Sequence, residues 1–302
     1  MRSRRGPAVD AAIAASRREP PLSVCRLQSA GYNPPMIRNI AAYRFVPVDD
    51  PPALAARLRA LAEAGDLHGS VLVAEEGVNL FLAGAPAAID AFLAALRADP
   101  RFAGIDVKAS DSATVPFAKL KVKRKSEIIA FRRPEASPLR APAPAVAPAT
   151  LARWIARGSD DADRRLVLLD TRNREEVAYG TFRDAETLPI DNFTDLPEAV
   201  LARREAWADA TIVAFCTGGI RCEKAVPWMR AQGMDHALQL EGGILGYFEA
   251  VGGEGYDGAC FVFDERVALT PTLTPAVISV GPVEGAESAT ARNDAAGDGR
   301  DG

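Results

Sequence analysis

Cys216 stands where a reactive thiol would. Residues 211–215, Thr-Ile-Val-Ala-Phe, form a short apolar run of the kind buried in a parallel sheet, and Cys216 ends it. Thr217, Gly218, Gly219, Ile220 and Arg221 follow, and a helix is expected to begin near Cys222. The glycine pair lets the backbone curl tightly, so the sulfur faces the unpaired N–H groups of a helix N-terminus. Such a setting stabilises a thiolate. Arg221 adds a fixed positive charge. The alternative is a small apolar residue closing a strand, but that explains neither the glycines nor the arginine. Cys222 could resolve a sulfur adduct on Cys216 or pack in the first helical turn, and its helical position favours packing. Cys260, in an apolar run, and Cys25, in the N-terminal extension, are expected to be non-catalytic.

Other chemistries find little support. The four cysteines contain no C-x-x-C pair, which argues against a disulfide framework and a structural zinc site. With only His68 and His236 available, a Cys–His catalytic pair and a histidine-rich iron site are not expected. No G-x-G-x-x-G turn, P-loop or metal-ligand cluster is present, so no metal and no cofactor is evident. The Cys216–Arg221 spacing is C-x4-R. Cysteine phosphatases carry C-x5-R, and the shorter loop suits sulfur better than a tetrahedral phosphate.

Three more groups carry charge in a pattern. Asp170 and Arg172 follow the end of an expected parallel strand over residues 166–169, where α/β sites lie. They either support the site or form a salt bridge bracing the cysteine loop. Lys119, Lys121, Lys123 and Lys125 alternate with Leu120 and Val122, with Arg124 beside them. A strand places the lysines on one face. They are either a guarded, solvated edge or a phosphate-contacting ridge for RNA. Glu75-Glu76-Gly77-Val78-Asn79 is a hairpin turn whose glutamates could also point at the active site across a domain boundary.

The elements that position these residues fall into an α/β chain of two domains. A strand is expected over residues 40–46, a helix over 53–64 with Leu54, Leu58 and Leu61 on one face, and a hairpin of 70–74 and 78–83. A second helix runs over about 86–98 with Ile89, Phe92, Leu93 and Leu96 buried, and strands follow at 105–109 and around 119–131. This βαββαβ order predicts a ferredoxin-like domain over residues 36–131. Residues 132–147 are Pro/Ala-rich and read as a semi-rigid linker. A parallel-sheet α/β domain is expected over 148–255, opening with a helix near 151–157, and then a C-terminal segment over 256–274. Residues 1–35 read as a disordered extension and 275–302 as a disordered acidic tail.

The loop from Cys216 to Ala225 resembles the rhodanese superfamily. So do Asp170-Thr171-Arg172-Asn173-Arg174-Glu175-Glu176, with the superfamily's Asp-x-Arg-x-x-x-Glu signature, and Leu240-Glu241-Gly242-Gly243-Ile244. Tyr179-Gly180-Thr181-Phe182 stands where many members have Gly-His-Ile. A wider resemblance spans residues 40–269. Glu75–Asn79, Pro116–Lys123, Cys216–Lys224 and Phe261-Val262-Phe263-Asp264-Glu265-Arg266 are similar to the rhodanese-domain tRNA uridine(34) hydroxylases. That resemblance implies hydroxylation of the wobble uridine at carbon 5, molecular oxygen as co-substrate, tRNA as partner and Cys216 as catalytic residue. It raises the RNA reading of the lysine ridge. The family's longer members carry further cysteines in a C-terminal extension that has no counterpart here. The competing readings are a sulfurtransferase carrying a persulfide on Cys216, and an RNA-binding scaffold, against which retention of Cys216 argues.

The chain has 302 residues and a formal net charge of -4, so any basic surface is local. No apolar run is long enough to span a bilayer and the N-terminus lacks the apolar core of a secretory signal, so the expectation is a cytoplasmic protein with no membrane and no protein partner.

Overall fold

The computed structural model describes residues 36–277. Residues 1–35, with Cys25, and residues 278–302 lie outside the described residues, and with them the expectations for the extension and most of the tail.

The first sheet is built by β1 (Ile37–Phe45), β2 (His68–Ala74), β3 (Gly77–Gly84), β4 (Val107–Ser112) and β5 (Leu120–Arg124), in the order β4-β1-β3-β2-β5. The first four strands are antiparallel neighbours, as a βαββαβ unit requires. β5 adds to β2 in parallel and extends the sheet by one edge strand. Helix α1 (Pro51–Ala64) starts where Asp50 accepts a hydrogen bond from the Ala53 amide at 3.0 Å and two prolines fill positions that need no N–H. It buries Leu54, Leu58 and Ala62, with Leu61 packed beside them. Helix α2 (Pro86–Arg97) buries Ile89, Phe92, Leu93 and Leu96, the stripe read from the sequence. Both stripes meet Ile40, Ala42, Val71, Val73, Leu80 and Leu82 on one face of the sheet. By alternation, Asn39, Ala41 and Tyr43 of β1 belong to the other face.

The second sheet is parallel. Its strands β6 (Ala145–Val146), β7 (Arg165–Asp170), β9 (Glu186–Thr187), β10 (Ala210–Phe215) and β11 (Ala237–Leu240) run in the order β6-β11-β10-β7-β9. β10 is buried along its whole length, which explains its unbroken apolar run. Around it lie α3 (Pro148–Arg157), α4 (Arg174–Val177), α5 (Leu196–Leu201), α6 (Cys222–Ala231) and α7 (Gly243–Val251). The short strands β8 (Gly180–Phe182) and β12 (Tyr256–Gly258) pair with each other, as do β13 (Cys260–Phe261) and β14 (Ala268–Leu269).

Three expectations need correction. The strand expected around residues 119–131 ends at Arg124, and Phe131 packs into the second core, stacked on Phe193 and edge-on to Trp228. The expected linker is not free chain. Ala136 is buried in that same core, Ala143 packs against it, and Ala145–Val146 forms the edge strand β6. Proline and alanine composition signals extended backbone, but extended backbone also serves as a packed strap. The expected strand over 105–109 begins at Val107, because Ile105 turns into the first core ahead of it.

A candidate active site at the domain boundary

Cys216 follows the C-terminal end of β10 and is 1 % exposed. Its sulfur accepts a hydrogen bond from the Gly219 amide at 3.1 Å. Gly219 makes this possible with φ +96°, a conformation that side-chain-bearing residues rarely adopt. The loop is held from behind by α7, since the Ile244 amide donates to the Cys216 carbonyl at 2.9 Å and the Leu245 amide to the Thr217 carbonyl at 3.0 Å. Gly243 fits there because it lacks a side chain. A Cβ would lie 2.5 Å from the Cys216 carbonyl oxygen.

Burial pushes the Cys216 thiol up. A hydrogen bond from Cys222, the Arg221 charge and the amides of Arg221 and Gly219 outweigh burial and bring it down to about 6. Cys222 is buried at the first position of α6, touching Thr171 at 3.6 Å. Burial and the neighbouring Cys216 push its thiol well above the ordinary range. It therefore packs in the first turn and also donates to Cys216. Cys260 is buried, and burial lifts its thiol to about 12.

Arg221 is not a loose charge. Its guanidinium makes a two-pronged contact with Glu176 of α4 at 2.6 and 2.5 Å, and both groups are buried. Asp170 and Arg172 form a second buried pair at 2.7 Å, with Arg172 also donating to the Gly180 carbonyl and Thr181 to Asp170. Neither residue lines the cavity described below. Their hydrogen bonds tie the end of β7 to β8 rather than to the cysteine loop.

Cys216, Thr217, Gly218, Gly219, Ile220 and Arg221 line a cavity of ≈ 390 Å³. Its opposite wall is the helix-free face of the first sheet, with Asn39, Ala41 and Tyr43 of β1 and Phe81 of β3. Tyr43 comes close to the loop. A Cβ on Gly219 would lie 3.0 Å from its hydroxyl, which donates to Glu223 of α6 at 3.4 Å. Glu223 and Gln239 of β11 also line the cavity. Glu176 and Glu223 lay inside motifs singled out in the sequence without a role, whereas Tyr43 and Gln239 carried no signal beyond strand alternation.

Glu76 does cross the domain boundary, but not to the thiol. It and Glu127 accept from the buried Lys224 of α6 at 2.8 and 2.7 Å, and Lys224 also donates to the Ile129 carbonyl. Glu75 is exposed. On β5, Leu120 and Val122 pack on the first core. Strand register places Lys121 beside Ser70, Phe81 and Ala41, and Lys123 beside Leu72, Asn79 and Tyr43, on the face that forms the cavity wall. Three strand spacings separate β5 from β1, or about 14 Å. Lys119, Arg124 and Lys125 are exposed. Neither His68 nor His236 lines the cavity. Among the described residues no group of three or more His, Cys, Asp or Glu is placed to hold a metal ion, and no helix is long and apolar enough to cross a membrane.

Comparison with known proteins agrees with this two-walled arrangement. Residues 37–128 match the UPF0176 acylphosphatase-like domain and residues 149–250 the rhodanese-like domain. Over 242 residues the chain is 66 % identical to a tRNA uridine(34) hydroxylase of Xanthomonas euvesicatoria pv. vesicatoria, covering 80 % of this chain and 98 % of the relative. The chain belongs to the tRNA uridine(34) hydroxylase family. Relatives of the same name include one from Xanthomonas oryzae pv. oryzae, 63 % identical over 82 % of this chain and 98 % of its own, and one from Xylella fastidiosa, 61 % identical over 80 % and 93 %. In this family member the rhodanese-like half supplies the thiol and the acylphosphatase-like half supplies the facing wall.

Proposed function

We propose that this protein hydroxylates the wobble uridine of tRNA at carbon 5, with molecular oxygen as co-substrate and Cys216 as the reactive group, in the cytoplasm. The observation that carries this reading is the shared cavity. An ionised thiol forms its floor, and a sheet bearing a row of lysines forms its opposite wall. The names of its relatives point the same way. A lysine row suits a polyanion, whose binding draws its free energy from neutralised phosphates.

The amide cradle favours a second reading, a sulfurtransferase that carries a persulfide on Cys216, since Gly219 and Arg221 would stabilise a terminal sulfur as well as a thiolate. The deciding experiment is nucleoside analysis of tRNA from cells with the protein, without it, and with Cys216→Ser. The hydroxylase reading expects 5-hydroxyuridine only with the intact protein. Unchanged nucleosides in all three, together with sulfur transfer by the purified protein, would establish the sulfurtransferase instead.

A further inference from the structure

Glu223 occupies the second position of α6, directly after Cys222, so the turn that supports the thiolate also carries a carboxyl into the cavity wall. Other acids on that wall are tied to cations. Asp264 pairs with Arg266 at 2.5 Å, and Asp106 and Glu249 both pair with Lys108 at 3.1 Å. Glu241 is exposed. Glu223 instead meets neutral donors, the Tyr43 hydroxyl at 3.4 Å and the Gln239 amide. Arg44 attracts it from β1, but that guanidinium donates to the Gly104 carbonyl at 2.9 Å. On its own helix, Lys224 is turned away to Glu76 and Glu127. The Tyr43 hydroxyl feels the charges of both Glu223 and Cys216, so carboxyl and thiol share one small space. Burial raises the Glu223 carboxyl above the ordinary range, and Gln239, Tyr43 and Arg44 offset part of that rise. A carboxyl of this kind, with no cation bonded to it among the described residues, is suited to exchanging a proton near neutral pH.

Hydroxylation at carbon 5 needs such an exchange. Once the C5–C6 π pair has attacked the terminal oxygen of a hydroperoxide formed from dioxygen and a two-electron reductant, breaking its O–O bond and releasing the other oxygen as water or an alcohol, carbon 5 is tetrahedral and still holds its hydrogen, with positive charge spread over carbon 6 and N1. The C5–H bond must then break, its electron pair closing the C5–C6 double bond and its proton passing to a base. We propose that Glu223 is the catalytic base that takes the carbon 5 proton and releases it to solvent, with Tyr43 as the positioning residue that aims its carboxylate. This inference rests on the hydroxylase reading above.

The test uses the full chain and tRNA labelled with tritium at carbon 5 of the wobble uridine, which loses label to water once per turnover. Glu223→Gln should lower kcat by about 10²-fold or more with KM unchanged, the usual cost of losing a general base. The acid limb of the kcat–pH profile, to which Cys216 and Glu223 both contribute, should become shallower and keep only the Cys216 ionisation, and Glu223→Asp should restore part of the rate. Tyr43→Phe removes a hydrogen bond that favours the carboxylate, so its acid limb should move to higher pH. Deuterium at carbon 5 should slow Glu223→Gln more than the wild type. Retention of tRNA on a filter checks that each variant is folded. If Glu223→Gln fails this check, Glu223→Asp decides, and a wild-type rate and profile there overturn the inference. A folded Glu223→Gln protein with wild-type release and an intact acid limb overturns it alone. Wild-type protein that hydroxylates no tRNA removes the hydroxylase reading and the inference together.

Discussion

The state of Cys216 is set by three hydrogen-bond donors and the Arg221 charge acting against burial, and the balance should leave a measurable trace. Alkylation by a small uncharged reagent such as iodoacetamide should rise with pH through about 6 and level off above it, because the lowered value makes the thiolate the major form from there upward. An ordinary cysteine would still be gaining rate beyond pH 8. A midpoint near the ordinary value would show that the cradle does not ionise the sulfur. Glu176→Gln leaves the Arg221 guanidinium buried without its carboxylate, so unfolding free energy should fall by about 3–5 kcal/mol, read from denaturant titration. At this scale the sequence was informative where chemistry and backbone coincide. Cys216, its glycines and Arg221 could be read directly, because a tight turn at a strand end needs glycine. Tyr43 and Gln239 could not, because a polar residue alternating in a strand gives no sign of what the far face will meet.

Among elements, the contact between α7 and the cysteine loop leaves no room for a side chain at Gly243. Gly243→Ala would force a Cβ against the Cys216 carbonyl and the Gly219 amide and place alanine at φ +63°. The backbone conformation alone costs roughly 1–2 kcal/mol, and the collision adds to it. The expected outcome is a lower melting temperature together with slower alkylation of Cys216, since the loop must shift to make room. A Gly243→Ala protein with wild-type melting and alkylation would show that α7 does not set the loop. The helices α1 and α2 were legible because their buried stripes repeat at helical spacing. Residues 125–147 were not. Phe131 ends the short apolar run 128–131 and Ala136 stands alone in a proline-rich stretch, and their burial depends on a core assembled from residues far along the chain.

For the whole molecule, the lysine row makes a claim about affinity. Replacing Lys119 and Lys121 with Glu should weaken tRNA binding and reduce the slope of log K against log salt by about 0.7–0.9 for each phosphate that is no longer neutralised. Equal affinity across a salt series would leave the row as a guard on an exposed edge. The fold class and the two halves could be read from the order of elements. The cavity could not, because its walls come from residues about 180 positions apart, as with Tyr43 and Glu223.

The depth of Cys216 has one more consequence. An ionised sulfur that is 1 % exposed, at the end of a space of ≈ 390 Å³, cannot be reached by the surface of any folded macromolecule. A base stacked and paired within a helix keeps its carbon 5 at the floor of a groove, flanked by two backbones. Such a base would have to leave the stack entirely to enter, at a cost of a few kcal/mol that an unpaired loop nucleotide largely escapes. On the hydroxylase function proposed above, the shape of the site would sort RNA by how readily it gives up a single nucleotide, before any contact reads which base has arrived.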